Sequence, residues 1–439
     1  MDNTWTLFPR KPNIQLPAII STFETSCRDS PWRRYDTGNS TQLNLCCTGC
    51  TFAPDDATII STTAIFPHHN QHEQENDLTV NPPCAFISIW EIDSDDHEAE
   101  DCGCMFTYSA RPSPQFSPCG NILGAVMNGY QGRICLIGYE IEDCVKNFKS
   151  VSIDCVGGNL CGRTQCCVFS PTKNRAATIN DLYIGGQDLS SYELNIWRMK
   201  DTRHMKSIWS VKLHTLYAGL NGKLRDAKFS QNGELLAVLS TSGQLCVIDI
   251  RSRKQKHVID DIIQNEYQGT GRRKVINCFD FDPRFNERLI AIGCDNMVQI
   301  LDIAKLVVHC YSILLPEASR NCNHISFSKC GRMLAASCCN GTVYIYSTVK
   351  QNLLHTLIFS ATAVDVESSC CLSSSFSSSS EEIVVASQSG FVHVWQLPRM
   401  LGLKEICRLK VRASFDVSTI QYLDIPKSLV NFLLFSPVL

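Results

Sequence analysis

The sequence predicts an all-β ring of seven similar sheet units followed by a small helical tail. Three observations carry that expectation: a strand-turn-strand pattern recurs along residues 43–397, each of seven copies opens on a Phe, and the apolar period changes after Trp395. Composition agrees with a folded chain. Of 439 residues, 44% are apolar and 19% charged, which excludes wholesale disorder and collagen-like or coiled-coil sequence.

Residues 1–42 precede the copies as an N-terminal segment. The alternating stretch at residues 14–23 is the candidate to supply a closing outer strand, because the last copy is followed by helical pattern and leaves one unit a strand short.

The copies come next. The clearest runs from Phe229-Ser-Gln-Asn-Gly233 through Leu235-Leu-Ala-Val-Leu239 and Gly243 to Leu245-Cys-Val-Ile-Asp-Ile250. A second runs from Phe327-Ser-Lys-Cys-Gly331 through Leu334-Ala-Ala336 and Gly341 to Val343-Tyr-Ile-Tyr346. Phe229 to Ile248, Phe327 to Tyr346 and Phe376 to Trp395 each span 19 positions, and Phe281 to Leu301 is one longer. Three looser copies lie upstream, from Phe52 to Trp90, Phe116 to Tyr139 and Phe169 to Trp197, with polar insertions such as residues 63–83 in their second turns. The opening aromatics stand 46 to 64 residues apart, slightly more than the roughly 40 to 50 of a four-stranded propeller blade. Alternation within each strand lets one blade bury its face on the next, so a ring of blades forms a core without helices.

These copies resemble WD repeats over about residues 43–397. The Gly-His dipeptide of that family is missing, and its Trp-Asp is replaced by Ile248-Asp249, Leu301-Asp302 or Trp395-Gln396, which leaves the family's hydrogen-bond network incomplete.

After Leu397 the pattern turns helical. Leu403, Ile406, Cys407 and Val411 form a stripe at i, i+3, i+4 and i+8 opposed by Lys404, Arg408 and Arg412. A short stretch at residues 417–422 and one after Pro426, with Leu429, Phe432 and Leu433 on one face, read as further helices. From periodicity alone this tail is equally a helical cap packed on the ring.

Residues 398–439 nonetheless resemble a SOCS box, the C-terminal adaptor of ubiquitin-ligase substrate receptors. Leu403-Lys-Glu-Ile-Cys407-Arg-Leu-Lys-Val411 places Leu, Cys and an aliphatic at the offsets of that family's elongin-binding segment. Gly402 replaces the family's leading Ser or Thr, an N-cap exchange that costs only a few tenths of a kcal/mol. Leu423-Asp-Ile425-Pro426 matches the cullin-contacting Leu-Pro-aliphatic-Pro, with Asp424 as the departure. The whole arrangement resembles the WD repeat and SOCS box-containing protein family. That resemblance implies a non-catalytic substrate receptor: Leu403, Ile406, Cys407 and Val411 would contact elongin B/C, and Leu423, Ile425 and Pro426 a cullin, cullin-5 with its RING protein. The propeller would hold an unidentified protein substrate.

Other features are read more plainly. Forty Lys and Arg against 43 Asp and Glu give a net charge of -3, so no global field points to nucleic acid or an anionic membrane. The 25 cysteines are odd in number and irregularly spaced, and reduced, buried thiols are expected. Cys46-Cys47-x-x-Cys50, Cys102-x-Cys104 and Cys161 with Cys166-Cys167 lack a matching second pair for zinc, and His68-His69-x-x-His72-Glu73 sits in a polar loop, so no metal or cofactor is expected. The acidic residues 91–101 read as a solvated loop. No nucleophile elbow, phosphate loop or dinucleotide fingerprint appears. The amino terminus lacks the order of a secretory signal and no run reaches 18 apolar residues, so a cytoplasmic or nuclear protein without membrane insertion is expected. The alternative function is a non-ligase WD-repeat scaffold whose basic loops, Arg251-x-Arg253-Lys254-x-Lys256 and Arg272-Arg273-Lys274, meet acidic peptides or phosphoinositides.

Overall fold

The structure, a computed structural model, describes residues 18–24, 43–54, 56, 58–67, 84–91, 100–106, 114–118, 120, 122–126, 134–138, 149–153, 164–181, 192–199, 205–213, 224–259, 275–284, 288–295, 297–303, 307–315, 321–358, 370–388 and 390–397. The chain divides into two units, residues 16–396 and residues 1–15 with 397–439, and the described strands all belong to the first. Among them, 28 strands form seven four-stranded antiparallel sheets.

Six blades are contiguous in sequence. Blade 1 is β2 (Leu43–Phe52), β3 (Thr58–Pro67), β4 (Cys84–Glu91) and β5 (Glu100–Phe106), and blade 2 is β6 (Gln115–Phe116), β7 (Ile122–Val126), β8 (Ile134–Gly138) and β9 (Lys149–Ile153). Blade 3 is β10 (Thr164–Phe169), β11 (Arg175–Asp181), β12 (Tyr192–Met199) and β13 (Met205–Lys212); blade 4 is β14 (Leu224–Phe229), β15 (Leu235–Ser240), β16 (Leu245–Asp249) and β17 (Lys254–Ile259). Blade 5 is β18 (Ile276–Phe281), β19 (Leu289–Cys294), β20 (Met297–Asp302) and β21 (Val307–Leu314); blade 6 is β22 (Cys322–Phe327), β23 (Met333–Cys338), β24 (Thr342–Ser347) and β25 (Asn352–Ile358).

Blade 7 has β26 (Cys371–Phe376), β27 (Glu382–Ser387) and β28 (Phe391–Gln396), and its fourth strand comes from the other end of the unit. β1 (Ala18–Glu24) pairs antiparallel with β28, Ala18 opposite Gln396 and Glu24 opposite Phe391. The pairing of strands from the two ends of this unit in one blade ties the ring shut by backbone hydrogen bonds.

First strands lie side by side around the ring: β2 against β26, β26 against β22, and so through β18, β14 and β10 to β6. Blades 1 and 2 meet at their first turns, where a Cβ on Gly120 would lie 2.7 Å from the Pro54 ring. Blades 7 and 1 are pinned by Asp56, which accepts the Ser378 and Ser379 N–H groups at 2.7 and 3.2 Å.

The core sits between neighbouring blades. Strand β15 is buried on both faces: Leu235, Ala237 and Leu239 pack toward blade 5 with Phe279, Ile290 and Ile292, whereas Leu236 and Val238 pack toward blade 3 with Ile179, Leu194 and Ile196. Such a strand reads as a continuous apolar run, yet its period of two still decides which blade each side chain meets.

The 19-residue spacing is a register. Phe229 stands opposite Leu236 and Leu236 opposite Ile248; Phe327, Leu334 and Tyr346 form the same row, as do Phe376, Ile383 and Trp395. In blade 2 the row closes on Ile137, not on Tyr139, because Phe116 pairs with Leu123 and Leu123 with Ile137. In blade 1 strand β3 continues to Pro67, so the insertion begins later than residue 63: Thr63, Ala64 and Ile65 keep their partners on both β2 and β4.

Position four after the opening aromatic is left-handed in the turns of five blades. Gly120, Gly233 and Gly331 have φ of 76°, 68° and 67°, and the non-glycines Asp56 and Ser380 take 57° and 63° there. Among the described residues no two cysteines are joined as a disulfide, and most of the thiols are buried.

Candidate functional site

Leu403, Ile406, Cys407, Val411, Leu423, Ile425 and Pro426 lie outside the described residues, as do the histidine cluster at residues 68–73 and the Arg272-Arg273-Lys274 loop. The described residues outline a central cavity and a groove between blades 3 and 4 in the β unit.

The cavity, of about 520 Å³, runs where the seven first strands converge, and all seven opening aromatics border it. Each of these strands ends on its Phe and a tight turn follows; a buried Ser takes the next position in five blades, and buried Ala53 and Asp282 take it in blades 1 and 5. Ser230 Oγ accepts the Leu235 N–H at 3.0 Å and Ser328 Oγ the Met333 N–H at 3.0 Å. Burial of each small hydroxyl replaces a water that the turn backbone would otherwise need.

In blades 2, 4, 5 and 6 the residue just before the aromatic, Gln115, Lys228, Asp280 and Ser326, reaches the next blade. Gln115 Oε1 accepts the Phe169 N–H at 3.4 Å, and Asp280 Oδ2 accepts the Phe327 N–H at 2.8 Å. Lys228, at the same place in blade 4, reaches Asp280 Oδ1 at 3.3 Å and the Ile325 carbonyl at 3.3 Å, with its ammonium 5.9 Å from the centre of the Phe279 ring. In blade 6, His324 Nδ1 accepts the Ser374 N–H at 3.3 Å, which leaves the proton of the neutral ring on Nε2. Ser337 donates to Ser374 Oγ at 2.9 Å, and the Ser326 and Ser374 hydroxyls lie 3.2 Å apart. Blades 4 to 7 are thus joined by side chains that line one cavity.

Burial works against the Lys228 ammonium, but the Asp280 and Asp226 carboxylates and the hydrogen bond to Asp280 more than offset it, so its pKa lies above the ordinary lysine value. Burial raises Asp226, with Lys228 and the Ala227 N–H opposing. Burial raises Cys166 strongly, and the Asp226 carboxylate adds to this; Cys50 is raised by burial and by Cys47. These thiols remain protonated and the amine charged, the opposite of what nucleophilic chemistry needs. The arrangement holds blades together and offers fixed charges and hydroxyls to a ligand.

The groove lies at the end of the unit that carries the turns between first and second and between third and fourth strands. It has a volume of about 400 Å³ and is bordered by Arg175, Arg198, Arg251 and Arg253 around Ile196 and Trp209. Arg251 and Arg253 belong to a basic loop legible in the sequence. Arg175 and Arg198 do not stand out there, because each lies alone in a β-strand and only register brings them together. The polar residues lining the cavity were likewise missed; for Gln115, Lys228, Asp280 and Ser326 the available signal was the position immediately before an aligned Phe.

Within blade 3, Trp197 Nε1 donates to Thr178 Oγ1 at 2.9 Å, a bond between third and second strands. Among the described residues no group of three or more His, Cys, Asp or Glu side chains is placed to hold a metal ion.

Comparison with known families matches residues 310–347 to the WD domain, G-beta repeat. No curated protein matches the chain. The matched segment covers most of β21 and then β22, β23 and β24, the outer strand of one blade and the first three of the next. A repeat staggered by one strand leaves the final blade without its own outer strand, the place that β1 takes.

Proposed function

We propose that the chain is the substrate-recognition subunit of an elongin B/C–cullin–RING ubiquitin ligase, acting in the cytoplasm or nucleus. The WD-repeat propeller binds the target, and residues 398–439 act as a SOCS box. The observation that carries this reading is the pair of motifs Leu403-Lys-Glu-Ile-Cys407-Arg-Leu-Lys-Val411 and Leu423-Asp-Ile425-Pro426, the first of which begins shortly after the last propeller strand ends at Gln396. Its fold supports a binding role, since a ring with a polar cavity presents surfaces and burial holds the Cys50 and Cys166 thiols bordering that cavity protonated.

In this reading the protein transfers nothing itself. Holding a target lysine beside a loaded conjugating enzyme raises the lysine's effective concentration, and the chemistry occurs on partners. Leu403 and Cys407 enter a pocket of elongin from one helical face, whereas Leu423, Ile425 and Pro426 meet cullin-5.

The test is capture of elongin B/C by the intact chain. Truncating a buried Leu anchor costs about 2 kcal/mol or more, roughly thirtyfold in affinity, so a Leu403→Ala, Cys407→Ala variant should lose elongin. Wild-type capture by that variant at about 0.5 M salt, where surface charge is screened, refutes the assignment. Leu423→Ala with Ile425→Ala should lower cullin-5 while elongin stays bound. The second reading, a scaffold without ligase function, is favoured by the arginine groove and predicts no stable elongin complex.

A further inference from the structure

The groove between blades 3 and 4 carries a charge arrangement that neither the ring nor the tail requires. Arg175 on β11 and Arg198 on β12 are directly opposed in the antiparallel register, and Lys206 on β13 opposes Arg198 from the other side. Three cations therefore stand in a row across three adjacent strands. Directly opposed like charges destabilise a sheet, and a face that needed only to be soluble would alternate its signs. Arg251 and Arg253 are added from the turn between β16 and β17, where Arg253 has a left-handed φ of 58°. The one carboxylate bordering the groove, Glu234, is engaged by Lys173. Among the described residues, none of these four arginines has a carboxylate within ion-pair distance.

We propose that this groove binds a phosphorylated serine or threonine within an extended segment of a partner protein. The Arg175–Arg198 pair presents two guanidinium forks at one point. A carboxylate has two oxygens and is satisfied by one fork, whereas a phosphate has three acceptor oxygens and a charge of about -1.5 to -2, enough for both. Arg251 and Arg253 face the same volume from the neighbouring blade and extend the positive wall along a chain. Ile196 and Trp209 give the groove an apolar part on which a side chain flanking the phosphate can rest. The site is recessed between blades, and the chain as a whole is acidic at -3. A long polyanion or a lipid surface meets that repulsion over a wide area, while a short segment senses only the guanidiniums within a Debye length of about 8 Å. The proposal rests on the substrate-receptor reading only in that the partner is then the ligase target.

The test uses the intact chain and three synthetic peptide pools with degenerate flanks and a fixed central phosphoserine, serine or glutamate. The phosphoserine pool should be retained about tenfold or more over either other pool, and Arg175→Gln with Arg198→Gln should remove most of that advantage. The same double variant should melt at or above the wild-type temperature without peptide, because it relieves like-charge repulsion. Equal retention of the phosphoserine and serine pools, or of the phosphoserine and glutamate pools, overturns the proposal. So does unchanged retention by the variant, or a lowered melting temperature, which assigns the arginines a structural role. Tighter, groove-dependent binding to phosphatidylcholine vesicles containing a phosphoinositide also overturns it, in favour of a lipid headgroup. Elongin B/C capture by the same variant should stay at the wild-type level, so failure of the groove leaves the ligase reading standing, and loss of elongin capture by the intact wild-type chain fails that reading alone.

Discussion

Asp280 joins three blades, and its removal gives a graded test of how the ring is held. Its two oxygens accept the Phe327 N–H at 2.8 Å and the Lys228 ammonium at 3.3 Å. In Asp280→Ala the Phe327 N–H is left without that acceptor, a loss of about 1–3 kcal/mol. Breaking a fully buried ion pair costs about 3–5 kcal/mol. This pair is partly reached by solvent, with side-chain exposures of 16% and 21%, and Lys228 keeps the Ile325 carbonyl at 3.3 Å, so about 1 kcal/mol is the appropriate share. The sum is about 2–4 kcal/mol. Asp280→Asn retains an oxygen for the Phe327 N–H and should cost only about 1–2 kcal/mol. Adding Lys228→Met to the Asn variant removes the orphaned ammonium and should recover part of that loss. Urea unfolding of the intact chain, followed by tryptophan fluorescence, measures the series through its midpoints at constant slope. An Ala variant as stable as wild type, or Asn and Ala variants of equal stability, would show that the link from Asp280 to Phe327 does not hold the blades.

Gly233→Ala places a Cβ 2.1 Å from Ser170 Oγ at a φ of 68°, and the strain should lower stability by about 1–3 kcal/mol in the same urea assay, against no change if the turn can relax. Burial pushes His393 down to about 4. Its unfolded pKa is near 6.5, so the unfolded chain binds a proton first, and stability falls as pH drops from about 6.5 through 4. His393→Gln should flatten that acid limb, and an unchanged profile from pH 7 to 4 contradicts the assignment. Deleting residues 1–25 removes β1 and exposes the backbone edge of β28, so thermal stability and solubility should both fall; unchanged values would mean that the ring closes without this strand.

Much of the propeller was legible because its signals are local. The seven Phe residues and the 19-residue spacing mark one register row that recurs from blade to blade, and Gly233 and Gly331 mark turns that need left-handed backbone. Blade 2 was misread at its close because Tyr139 is the more conspicuous aromatic, whereas hairpin pairing selects Ile137. The cavity network was hidden for a different reason. Lys228 and Asp280 are 52 residues apart, and Asp280 and Phe327 are 47, so their meeting depends on blade neighbourhood and leaves no periodic trace. The groove lies between these cases: Arg251 and Arg253 form a visible basic loop, but Arg175 and Arg198 become a pair only through β11–β12 register.

The proposed recruitment of a target to a ligase by the propeller and the tail is tested most directly by co-purification from cells. The intact chain and a version ending at residue 397 are isolated in parallel, and the accompanying proteins are identified by mass spectrometry. Elongin B/C and cullin-5 should accompany the intact chain and be lost from the shortened one, with a shared set of propeller-bound proteins in both. An intact chain that brings down its propeller partners but no elongin contradicts it.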